Sequence, residues 1–164
     1  MEQRSSSLEN HRAMSSGHSE RRSSLPEILR KFEDKSGPAR VLVAEDDFLI
    51  AMQTEDALSA AGLQVVGTAV SAEEAIAMGM QERPVLVVMD IRLAGRHDGI
   101  DAARELFQQL NIRCIFATAN DDFHNRERAR PYAPLGWLAM PYTMTSLLAA
   151  VADALILLAE DRLT

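Results

Sequence analysis

Five short runs rich in Val, Ile and Leu punctuate the chain from residue 40 onward: "VLVAE", "LQVVGTAV", "PVLVVMD", "RCIFAT" and "GWLAM". A strand that is apolar at nearly every position must be covered on both faces, and helices between successive strands supply that cover. The segments between the runs have helical spacing. The pattern therefore predicts an α/β fold, a parallel sheet wound from βα units with five strands and five helices. The first of these helices carries Ile50, Thr54, Ala57, Leu58 and Ala61 on one face, and the second opens with Ser71 and Glu74 at capping-box spacing. The third shows Ile100, Ala103, Phe107 and Leu110, and the last a core stripe of Leu148, Val151, Leu155 and Leu158. The fourth, "NDDFHNRERARPYAP", is polar and weakly periodic, which predicts a short or mobile helix.

Composition divides the 164 residues near "SGPAR" into an extension, 1–39, and a domain, 40–164. The extension has a net charge of +1 and the domain one of −8. Residues 1–24 are Ser-rich and nearly free of aliphatic side chains, so they are expected to be disordered. In "SSLPEILRKFEDK", Ser24 and Glu27 have capping-box spacing, and Leu25, Ile28, Leu29 and Phe32 follow one helical face. A short amphipathic helix is expected near 25–34, covered by the protein's own body or by a partner. Periodicity does not separate the two.

Other classes are excluded by composition. The single cysteine, Cys114, allows no internal disulfide, and no apolar segment reaches the roughly 18 residues of a membrane span. The chain reads as a soluble cytoplasmic protein with no membrane contact. A net charge of −7 argues against direct nucleic-acid binding, which needs Lys and Arg to neutralise phosphates.

In open α/β sheets ligands collect at the carboxyl ends of the strands. Those ends carry Glu45, Asp46 and Asp47 after the first strand, Asp90 after the third, Thr118 after the fourth and Met140 with Pro141 after the fifth. Adjacent carboxylates raise one another's pKa unless a cation or donors compensate. The first trio, taken alone, could be an exposed acidic loop. With Asp90 on the same edge, Glu45 and Asp46 read as ligands of Mg²⁺, which favours carboxylate and phosphate oxygens. A carboxylate beside such an ion can attack phosphorus and form an aspartyl phosphate.

The motifs "VLVAEDD", "VVMDIRLAGRHDG", "IFATA" and "LAMPY", in this order and spacing, resemble the receiver domain of two-component response regulators from about residue 40 to the C-terminus. The resemblance implies a doubly wound sheet of order 2-1-3-4-5. It implies Asp90 as phosphoacceptor, and Glu45, Asp46, Asp90 and the main-chain carbonyl of Arg92 as Mg²⁺ ligands. Thr118 would be the switch hydroxyl and Trp137 the switch aromatic, while Arg92 and Asn120 would flank the path of hydrolytic water. The phosphoryl donor would be a sensor histidine kinase or a histidine phosphotransfer protein, and the chain would be a phosphoacceptor signalling protein rather than an enzyme.

Two departures stand out. Met140 occupies the place of a Lys, and a thioether cannot neutralise phosphoryl charge; the lost contact is worth about 1.5 to 3 kcal/mol. The loop after Asp90 is about one residue longer than usual, with Ala94 where many receivers have Pro. Both loop features, with "FAT", are similar to receivers of alphaproteobacterial general-stress signalling, including the FATGUY subgroup, although "AND" replaces that subgroup's Gly-Tyr ending. The expectation is a stand-alone receiver whose output is protein binding. The alternative is a pseudo-receiver that docks without phosphorylation. Leu147, Ile156 and Leu157 exceed what one sheet contact needs, which points either to a homodimer or partner on the last helix or to the N-terminal helix around Leu25 to Phe32 as their cover. His97 is expected in an exposed loop, and His11, His18 and His124 lack metal-ligand spacing.

Overall fold

The computed structural model describes residues 24–33 and 37–164. The expected disorder before residue 24 lies outside the described residues. Five strands, β1 (Arg40–Ala44), β2 (Gln64–Ala69), β3 (Leu86–Met89), β4 (Arg113–Thr118) and β5 (Gly136–Ala139), form one parallel sheet of order β2-β1-β3-β4-β5. The helices are α1 (Leu25–Leu29), α2 (Phe48–Ala60), α3 (Ala72–Glu82), α4 (Gly99–Leu110), α5 (Phe123–Ala129) and α6 (Met144–Asp161), with a 3-10 turn at Arg130–Tyr132.

The apolar runs are continuous because successive strand residues serve opposite faces. Val41, Val43, Leu86, Val88, Ile115 and Ala117 belong to one core, shared with α1, α2 and α6. Leu42, Ala44, Val87, Met89, Cys114 and Phe116 belong to the other, shared with α3 and α4. Cys114 is fully enclosed, and burial pushes its thiol up to about 12. As expected, the fourth segment of the domain is a short helix, α5, of seven residues.

The N-terminal helix docks on the body. Ile28, Leu29 and Phe32 are buried in the same core as Leu147, Val151, Ala154 and Leu155 of α6, and the Arg162 guanidinium lies 4.8 Å from the Phe32 ring centre. Of the two occupants expected for the last helix, the structure shows the N-terminal helix. Leu147 is fully buried, Ile156 packs at the margin and only Leu157 remains exposed, because α6 is covered by the sheet on one side and by α1 on another. The expected stripe is shifted accordingly, with Leu148 and Leu158 only half-buried. Most of the surplus that pointed to a homodimer or partner is satisfied from within. The capping box at Ser24 and Glu27 is absent as well, since Ser24 makes no side-chain cap. Ser24 is exposed, so water can serve those N–H groups.

Phe32 is expected to behave as a core residue of the domain. Phe32→Ala should lower stability by about 3 kcal/mol, read as a shifted urea midpoint. A midpoint equal to that of the parent chain would show that α1 is a detachable tail.

Candidate phosphoacceptor and metal site

The sheet ladder sets the positions of the acidic residues. Past the last residue of β1, the Glu45 N–H donates to the Ala69 carbonyl at 2.9 Å, and past β3 the Asp90 N–H donates to the Ala44 carbonyl at 2.9 Å. Both residues therefore stay in register with neighbouring strands, at the carboxyl edge of the sheet. Glu45 and Asp90 are buried, 5% and 8% exposed, while Asp46 is open to solvent. One carboxylate oxygen from each of Glu45, Asp46 and Asp90 lies within 4.8 Å of the other two.

The third carboxylate of the run has a different task. Asp47 is the N-cap of α2, accepting from the N–H groups of Leu49 at 2.9 Å and Ile50 at 3.1 Å. Its own N–H donates to Glu45 Oε1 at 3.0 Å. The run "EDD" thus combines two carboxylates that face Asp90 with one that starts a helix.

Electrostatics reflect this crowding. Burial pushes the Glu45 carboxyl up from 4.5 to about 7; the Asp47 N–H opposes that rise, and the charges of Asp90 and Asp46 add to it. The pKa of Asp90 is also raised, by burial first and by Asp46 in addition, while Thr118 and the N–H groups of Arg92 and Ile91 favour its charged form. The Arg92 N–H donates to Asp90 Oδ1 at 3.2 Å. At this residue the structure brings the main-chain N–H to the phosphoacceptor candidate. Three carboxylates with an uncompensated charge form a hard-oxygen donor set, and that set fits Mg²⁺.

The switch candidates lie on the neighbouring strands. Thr118, fully buried at the end of β4, accepts from the Asn120 N–H at 3.1 Å. Trp137 stacks on Phe116 with ring centres 4.7 Å apart, and the Arg126 guanidinium sits 5.0 Å from the indole. Met140 continues β5, its N–H donating to the Thr118 carbonyl at 3.1 Å. The chain thus carries a half-buried thioether at that edge.

Several residues around the site were not singled out in the sequence. Asp98 caps α4 through a capping box with Asp101, a spacing that the capping rule could have found. Gly99 follows from close approach: a Cβ there would lie 1.9 Å from the Asp90 carbonyl oxygen. Tyr142 bonds Thr54 at 3.3 Å, and burial raises its pKa, with the Glu45 and Asp90 charges adding to the rise. His97 is exposed as expected, and its ring lies 2.6 Å from Glu73. The loop after Asp90 is stitched to the start of α3 by a bridge between Ser71 and Ala94.

Residues 41–152 match the family model of the response regulator receiver domain. The chain belongs to that family. This receiver is 35% identical to the transcriptional regulatory protein PdtaR of Mycobacterium tuberculosis over 118 residues, 72% of this chain and 57% of the relative. It is 32% identical to the phyllosphere-induced regulator PhyR of Methylorubrum extorquens over 117 residues, 70% of this chain and 43% of the relative. The receiver thus spans about half the length of these curated relatives. Among solved structures it superposes on the signal receiver domain of a modulated diguanylate cyclase from Desulfovibrio desulfuricans G20, with a TM-score of 0.69 and 30% identity over 74% of this chain and 97% of that one. The PhyR receiver domain of Erythrobacter litoralis gives 0.66 and 30% over 75% and 94%. Receivers of this family are signalling modules rather than classical enzymes, and among the described residues no helix is long and apolar enough to cross a membrane.

The acidic crowding has a pH signature. Because the folded-state pKa of Glu45 lies above its unfolded value, the folded chain binds more protons between 4.5 and about 7 and loses stability as pH rises through that window. In chelator, Asp46→Asn should therefore be more stable than the parent chain above pH 7, the gain shrinking as pH falls toward 4.5. A gain that stays constant with pH would place the stabilisation elsewhere.

Proposed function

We propose that this receiver accepts a phosphoryl group on Asp90 from a phosphohistidine donor, in the presence of Mg²⁺, and signals through protein contacts. The observation that carries this reading is the meeting of the Glu45, Asp46 and Asp90 carboxylates at one edge of the sheet. Glu45, Asp46 and Asp90 would hold the ion, with the Arg92 carbonyl as a further oxygen. When bound, Mg²⁺ supplies positive charge that offsets the carboxylates and the incoming phosphoryl oxygens.

The chain's own groups do the rest. A carboxylate oxygen of Asp90 attacks phosphorus, the P–N bond of the donor breaks, and the imidazole leaves with the bonding electron pair. The contacts from Thr118 and from the N–H groups of Arg92 and Ile91 oppose the effect of burial on Asp90 and favour its nucleophilic, charged form. The Thr118 hydroxyl, enclosed beside this carboxyl, then donates to a phosphoryl oxygen. Arg92, exposed two residues on, can cover the phosphoryl group and slow the approach of water.

A second reading is favoured by Met140, which leaves the site without the ammonium that would face the phosphoryl charge. In that reading the receiver docks to its partner without phosphorylation, and its acidic edge serves only as a recognition surface.

Incubation with acetyl phosphate and Mg²⁺ distinguishes the two. Phosphate labile to hydroxylamine should appear on the parent chain and be lost in Asp90→Asn; a parent chain that takes up none supports the docking reading. In a receiver that does take up phosphate, Met140→Lys should speed the uptake about tenfold, equivalent to one charge-assisted contact. Arg92→Ala should shorten the lifetime of the phosphoryl group, and an unaltered decay rate would remove Arg92 from the mechanism.

A further inference from the structure

Helix α5 has almost no apolar anchor. It is seven residues long, too short to persist on its own propensity, and Ala129 is its one buried residue. Phe123, at its first position, is 80% exposed. The helix is held in place by polar ties, made by Asn125 and by two arginines. Arg126 forms a two-point pair with Asp121, 2.5 Å from Nε to Oδ1 and 2.8 Å from Nη2 to Oδ2, and lies over Trp137. That pair is local, spanning the loop that leads into the helix.

Arg128 makes the long-range tie. Its Nη1 donates to Asp98 Oδ2 at 2.7 Å, and Nη2 lies 3.9 Å from Asp101 Oδ1. Both carboxylates belong to the start of α4. The pair is partly sheltered, its side chains 35% and 30% exposed. Burial works against the Asp98 carboxylate, yet the Arg128 guanidinium and the N–H groups of Asp101 and Ile100 hold its pKa below the usual carboxylate range.

These contacts close a circuit through the phosphoacceptor site. From the Thr118 hydroxyl the path runs to the Asn120 N–H at 3.1 Å, then from the Asn120 carbonyl to Asn125 Nδ2 at 3.0 Å. The Asn125 Oδ1 accepts from Arg128 Nη1 at 3.2 Å, and Arg128 reaches Asp98. The next residue, Gly99, donates its N–H to the Ile91 carbonyl at 2.7 Å and packs directly against the carbonyl of Asp90. Thr118 and the main chain of Asp90 are thus joined by a second route that passes outside the sheet, through α5. One residue, Arg128, closes it.

We propose that Arg128 is a positioning residue for the phosphoacceptor site: it latches α5 to the loop behind Asp90, so that Thr118, Asn120 and the cover over Trp137 are held as one unit. The part that concerns phosphoryl chemistry rests on the reading of Asp90 above; the latch itself does not. When the Thr118 hydroxyl turns to a new acceptor, its bond from the Asn120 N–H is disturbed, and α5 stays or shifts according to the strength of the Arg128 pair. Loosening the pair frees α5 to move with Arg126, uncovering the indole.

The experiment compares Arg128→Gln, Asp98→Asn and the double variant with the parent chain, all unphosphorylated. Asn retains the ability to cap α4. Each single variant should raise amide exchange over residues 122–132 about fivefold, the scale of one partly sheltered ion pair, and shift Trp137 emission. Exchange in β3 and α3 should be unaltered, and the double variant should behave like the singles. Arg128→Lys should restore part of the protection. Exchange that is unaltered in the singles, or additive in the double, overturns the latch. With acetyl phosphate, Arg128→Gln should alter the rate of phosphate uptake at least threefold, and an equal rate overturns the coupling to the site. If the parent chain takes up no phosphate, the reading of Asp90 fails, and exchange and emission still decide the latch.

Discussion

The arrangement of this chain depends on an unfavourable contact. Three carboxylates converge where β1 and β3 end, two of them buried, and nothing in the backbone relieves their repulsion in full. The parallel ladder makes this tolerable. Glu45 and Asp90 are fixed by main-chain bonds to neighbouring strands, and the two cores beneath them supply the stability against which the repulsion is set. A cation placed among these three carboxylates would remove a penalty already present in the fold.

Around that edge the surrounding elements divide into rigid and loose parts. The sheet, α2, α3, α4 and α6 bury apolar side chains on clear faces. The helix α5 does not, and polar ties hold it against α4 and Trp137. Elements with few buried apolar contacts open at low free energy, and binding sites and switches tend to use them. The placement of the one tryptophan at the junction of the rigid sheet and the loose helix fits that division.

The strands, their parallel arrangement and the acidic edge were legible because each rests on a short-range pattern: β-branched runs, helical spacing between them, and carboxylates at strand ends; the strand order came only from the resemblance to receivers. The last helix was less legible. Leu147 and Leu148 are adjacent, so periodicity alone could not say which faces the core once α1 covers a second flank. Asp47 was hidden for a similar reason, since three consecutive carboxylates look alike until the backbone turns into α2 and makes one of them a cap. Arg128 left no local signal. Its partner lies 30 residues away, and long-range pairing of surface charges depends on how helices pack rather than on spacing.

Gly99 has a further consequence. Its N–H is bonded to the Ile91 carbonyl and its Cα rests against the Asp90 carbonyl, so the segment from 91 to 99 is pinned at its two ends within the same few ångströms. A loop closed in this way can grow outward without displacing what it joins, because the closure entropy rises only slowly with the number of residues. Ala94, within this loop, is turned toward the start of α3. The length of this loop is therefore a variable that can be altered independently of the chemistry at its base, which leaves the outer rim of the site open to divergence while its centre stays fixed.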